Sequence, residues 1–112
     1  MPDRAHLGDF EQMVMIALLR LREEAYGMRV RQEIEQRTGR ETSIGAVYAT
    51  LDRLEDKGFV KSSLGKPTQE RGGRAKRTFI LTARGSKALE SSHDALMRMM
   101  DGLQFGGLEW KM

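Results

Sequence analysis

The chain contains no cysteine. That excludes a disulfide framework and thiolate metal sites, and it fits a reducing compartment. Histidine is nearly as scarce. His6 and His93 stand far apart, and neither sits in an H-E-x-x-H or H-x3-H pattern. Both read as surface or capping residues, so no metal site is expected. No stretch reaches the roughly 18 consecutive apolar residues of a membrane span, and residues 1–6 lack the shape of a secretory signal. A soluble, cytoplasmic protein that does not engage membranes is the expectation. Catalytic groupings are missing too. Ser91, Ser92, His93 and Asp94 spell a triad only as letters, because consecutive helical residues point about 100° apart and cannot converge. Residues 65–73 are not a G-x-x-x-x-G-K phosphate loop and follow no strand-to-helix turn. Neither an enzyme nor a bound cofactor is expected.

What is present fits one small domain. A length of 112 residues allows a modest core. Net charge is only +3, but its distribution is uneven. Between residues 61 and 77, Lys61, Lys66, Arg71, Arg74, Lys76 and Arg77 face Glu70 alone. A local basic patch of this kind suits phosphate, although many charge runs are merely solvated loops.

The stretch 43–60, S-I-G-A-V-Y-A-T-L-D-R-L-E-D-K-G-F-V, reads as a helix and its exit. Ser43 is a suitable N-cap. Ile44, Val47, Leu51 and Leu54 form one apolar stripe, and Gly58 follows as a stop. Gly45, Ala46, Ala49, Asp52 and Arg53 lie away from that stripe, with Tyr48 and Thr50 on its flanks. The outward face is therefore small and nearly uncharged over its first half. A solvated face would normally carry Glu and Lys. A recognition helix that enters a DNA major groove needs this small surface, and its N-terminus attracts phosphate.

The other elements fall in order around this helix. A first helix is expected from Gly8 or Asp9 to about Arg22. It is apolar nearly all round, Phe10, Met13 and Ala17 included. A small domain has little interior to hide such a helix, so part of it is expected to meet a second chain; simple central burial is the alternative. A second helix runs from Tyr26 to Thr38, with Val30 and Ile34 inward and Gly39 as its stop. Residues 40–42 form a turn with, at most, a short strand pair. Residues 59–64 and 77–82 read as two strands, joined by a loop punctuated by Gly65, Pro67, Gly72 and Gly73. Thr82 then caps a last helix to about Leu103, whose Leu89, Leu96, Met99 and Leu103 fall on a heptad-like seam widened by Met97 and Met100. Residues 104–112 are a short tail. The order helix, helix, turn, helix, then two strands is that of a winged helix-turn-helix.

Four segments also carry a family resemblance. S-x-G-x-V-Y followed by L-x-R-L-E-x-x-G-F-V resembles the core of PadR-type winged-helix transcriptional regulators. L-G-D-F-E-Q-M-V-M-I-A-L-L from Leu7, A-Y-G-M-R-V from Ala25 and G-G-R-A-K-R-T-F-I-L-T-A-R-G from Gly72 match it in order and spacing. The resemblance spans roughly Leu7 to Leu103 and implies a regulator. The methionines Met13, Met15, Met97, Met99 and Met100 fit ordinary gap-filling in a dimer seam. They also fit a pocket for flat hydrophobic effectors, which some members of that family hold. Trp110 lies beyond Gly106 and Gly107, outside any helix that would form an aromatic ligand clamp.

The expected architecture is mainly α with a small β-hairpin (α+β). Residues 1–82 form a winged helix-turn-helix DNA-binding domain, 83–103 an added C-terminal dimerisation helix of the same unit, and 104–112 a tail. The expected function is sequence-specific DNA binding by a homodimeric repressor on a palindromic double-stranded operator, relieved by a small hydrophobic effector. DNA contacts are expected from Ser43, Gly45, Ala46, Tyr48, Ala49, Thr50 and Arg53 on the helix, and from Lys66, Arg71, Arg74, Lys76 and Arg77 on the wing. Dimer contacts are expected from Phe10, Met13, Ala17, Leu89, Leu96, Met99, Met100 and Leu103. A winged-helix protein-interaction adaptor is the rival reading. It would carry acidic or large apolar residues on the third helix and a neutral wing, and this chain has neither.

Overall fold

Helix α1 (Asp9–Leu21) begins at Gly8, whose N–H donates to the Glu11 carboxylate at 2.9 Å. Asp9 and Glu11 in its first turn complement the helix dipole. The computed structural model describes residues 7–64, 76–105 and 108–109. Val14, Met15, Ala17 and Leu18 of α1 are buried, whereas Ile16 and Leu19 are exposed. The helix is thus covered on one side by its own domain, and the apolar residues opposite remain open. A 3-10 turn (Arg22–Glu24) leads into α2 (Gly27–Thr38), which ends at Gly39 in the left-handed conformation, φ 75°. α3 (Ile44–Asp56) starts where Ser43 Oγ accepts the Ala46 N–H at 3.0 Å. Val47, Leu51 and Leu54 point inward and are fully buried. Each such side chain contributes about 1.5–3 kcal/mol by leaving water.

Strands β1 (Val60–Leu64) and β2 (Arg77–Leu81) pair antiparallel, with Val60 opposite Leu81 and Leu64 opposite Arg77. No strand forms in the 40–42 turn; the extra strand-like contact is elsewhere. Tyr26 bridges Thr78, and the Phe79 N–H donates to the Ala25 carbonyl at 3.0 Å. The corner before α2 is thereby stitched to the hairpin. Phe59 and Phe79 complete the core between the helices and the hairpin.

α4 (Ala83–Met100) is capped by Thr82, whose Oγ accepts the Gly85 N–H at 3.0 Å. The same hydroxyl donates to the Gly58 carbonyl at 2.7 Å, and the Thr82 N–H donates to the Phe59 carbonyl at 3.0 Å. The helix is shorter than expected: Leu103 lies beyond its end. Leu89 is also corrected. It is buried against its own domain and is not part of an outward seam. Ala17 is corrected for the same reason, being only 2% exposed within the α1–α2 core. Two short strands, β3 (Gln104–Phe105) and β4 (Leu108–Glu109), pair beyond α4 within the stretch expected to be tail.

Candidate nucleic-acid interface

The outward strip of α3 is narrow and low. Ser43, Gly45 and Ala49 are exposed, and Ala46 is half-buried beside them. A Cβ added at Gly45 would meet only Ser43 Oγ, at 3.9 Å, so the fold leaves this position open. Asp52 and Asp56 follow on the same exposed strip. The first half of the helix is therefore the half that suits a phosphate-lined groove, in keeping with how recognition helices are used.

The two flanks of α3 differ from each other. Tyr48 is half-buried, with its ring 6.4 Å from that of Phe79 and against Gly27 of α2. Among the described residues its hydroxyl has no hydrogen-bond partner. Thr50 was expected at the DNA face and is corrected. It is 3% exposed and accepts a 3.4 Å hydrogen bond from Arg53, because α1 covers that flank. Arg53 remains exposed, but its Nε reaches Glu11 on α1 at 3.5 Å. Lys57 Nζ reaches the same carboxylate at 2.9 Å. Burial opposes the charge of Glu11, but the Gly8 N–H and the two cations outweigh it and lower its pKa. Spacing gave no sign of this junction, which joins the start of α1 to the end of α3.

The base of the hairpin is fastened to α3 by a second carboxylate. Glu55 accepts from the Ser62 N–H and hydroxyl, at 3.2 and 2.9 Å, and from Arg77 at 2.8 Å. The Ser62 hydroxyl is the largest cause of its lowered pKa. Arg77 also lies 3.4 Å from Asp52 and stacks over Phe79. Its guanidinium is thus turned to α3 and shared between two carboxylates. Lys76 is exposed, with Nζ 4.2 Å from the centre of the Tyr26 ring. Tyr26 precedes α2, whose start has no side-chain cap. Lys66, Arg71 and Arg74 lie outside the described residues.

Leu96, Met99 and Leu103 are exposed, Met99 by 79%. Met100 is half-buried. Phe10 and Met13 pack partly against the core, and Phe10 is covered by the Arg40 guanidinium at 5.0 Å. His93 is exposed beside Asp94, and the described residues contain no cluster able to hold a metal ion. No described helix is long and apolar enough to cross a membrane.

The family model described as "Transcriptional regulator PadR-like family" matches residues 15–91. A PadR family transcription regulator from hypervirulent Clostridium difficile R20291 has a similar structure, with a TM-score of 0.66 at 25% identity over 82% of this chain and 91% of that one. A padr family transcriptional regulator from Eggerthella lenta DSM 2243 gives 0.64 at 24% identity, over 81% and 77%. The protein TA0346 of Thermoplasma acidophilum gives 0.63 at 22% identity, over 78% and 82%. No curated protein sequence matches the chain.

Proposed function

The chain belongs to the PadR-like family of transcriptional regulators, and from that premise we propose that it is a homodimeric repressor that places the first half of α3 in a DNA major groove. The observation that carries this reading is the small outward strip of Ser43, Gly45 and Ala49, open in the fold and free of long side chains. The basic 61–77 segment is the natural partner for flanking phosphates. Repression needs only occupancy of a promoter. Dimerisation through α1 and α4 is supported by the exposed Ile16, Leu19, Leu96 and Met99. The cavity lined by Met13, Ile16, Ala17 and Ile34 is about 140 Å³, below the ~300 Å³ typical of small-molecule sites. A larger cavity of about 630 Å³ beside it is lined mostly by charged side chains, among them Arg20, Arg29, Glu33 and Arg37. The place we favour for a hydrophobic effector is where two copies meet, against the exposed apolar residues of α1 and α4.

A mobility-shift titration on the DNA upstream of the protein's own coding sequence tests the reading. We expect a discrete complex that survives competition by random duplex and weakens steeply with salt. Equal affinity for both DNAs at every salt concentration would reject sequence-specific binding.

A further inference from the structure

Gly27 is the first residue of α2, and it is buried. Its φ is not positive, so the backbone there does not itself demand glycine. The demand comes from a neighbour. A Cβ at this position would lie 2.4 Å from Cζ, 2.6 Å from Oη and 2.7 Å from Cε2 of Tyr48. These distances are far inside van der Waals contact. The ring of Tyr48 therefore lies across the first turn of α2 in space that only glycine leaves, with Phe79 as its other ring neighbour.

Packing alone would be served by phenylalanine. A pinned ring whose hydroxyl has no partner among the described residues points to a partner outside the protomer. We infer that Gly27 is a positioning residue for DNA binding: by lacking a side chain it fixes the direction in which Tyr48 presents its hydroxyl to a backbone phosphate. The inference rests on the proposed placement of α3 at DNA. Gly27 itself touches no DNA in this scheme. Its effect passes through the ring, whose fixed aim spares the ordering cost that binding would otherwise incur.

The test is a binding cycle on the full chain with a labelled random-sequence duplex at low salt, since a phosphate contact is independent of sequence. Tyr48→Phe removes one charge-assisted hydrogen bond and should weaken binding roughly tenfold. Gly27→Ala should give the same loss, because the half-exposed ring can swing outward while the core stays in place. The double variant should bind no worse than either single one. A purely structural Gly27 would instead add its own loss in the Tyr48→Phe background, and that result overturns the inference. Normal binding by Gly27→Ala alongside weak binding by Tyr48→Phe overturns it as well. Normal binding by Tyr48→Phe rejects the DNA contact itself, which is a separate failure. If Gly27→Ala does not fold, nuclear Overhauser contacts in the wild-type chain decide. Contacts from the Tyr48 ring to both Gly27 Hα atoms support the inference, and their absence overturns it.

Discussion

Gly45 and Gly85 occupy the second and third positions of their helices, and in the sequence they look alike. The fold treats them oppositely. At Gly45 a Cβ would meet only Ser43 Oγ, at an ordinary contact distance of 3.9 Å, so glycine there weakens α3 without any packing reason. Gly45→Ala should therefore leave stability unchanged or raise it by up to about 1 kcal/mol. DNA binding should nevertheless fall, because the methyl group would stand between the helix and the groove. Thermal melting and a binding titration on the same preparation check both halves. At Gly85 a Cβ would lie 2.0 Å from the Phe59 carbonyl oxygen, a backbone atom held by Thr82. Gly85→Ala should cost about 2 kcal/mol or more, read as a lower denaturant midpoint. Periodicity cannot separate the two positions. It gives the angle of a residue around its own helix and says nothing of what lies opposite. Thr50 departs from its expected place for that reason: α1 widens the buried side of α3 by one residue.

At the scale of elements, the local signals were faithful. Ser43 and Thr82 cap their helices, and Gly39 ends α2, because caps and stops depend on a few consecutive residues. The joints between elements were not legible, since each pairs groups distant in sequence. Glu55 with Ser62 and Arg77 is the clearest case. Its carboxylate is favoured in its charged form by the fold, so its pKa lies below the ordinary 4.5. The stabilisation is complete above 4.5 and is lost as pH falls through the lower folded value. The hairpin should loosen from α3 over that acid range, seen as a falling protection of the Ser62 amide relative to a free peptide at the same pH. In Glu55→Gln the protection should be low already at neutral pH and show little further change on acidification. The wing itself should supply affinity more than sequence choice. Changing Arg74 and Lys76 to Ala should weaken random and operator DNA together. It should lower the salt slope by about one unit for each phosphate left without its cation. A salt titration with an unchanged slope would contradict this.

For the whole molecule, the decisive surface is the one its own core leaves uncovered. Leu89 and Leu96 are seven residues apart and equivalent in a heptad, yet one is buried and the other 53% exposed. The first half of α4 packs on its domain; the second half presents Leu96 and Met99 outward. Sequence patterning proposes a seam but cannot tell where the protomer's own cover ends. Leu96→Glu should leave the domain folded, convert the proposed dimer to monomer by sedimentation or light scattering, and abolish operator binding. A stable wild-type monomer at micromolar concentration would reject the assembly.

The Glu11 junction has a mechanical consequence for such an assembly. One carboxylate on α1 holds both Arg53 and Lys57 near the end of α3. The helix proposed to meet the partner and the helix proposed to meet DNA are thus coupled like a crank and its shaft. Tilting α1 at the subunit boundary would swing α3 as a rigid arm and leave its shape unaltered. Release from an operator would then be a change in the span and pitch between two unchanged reading heads.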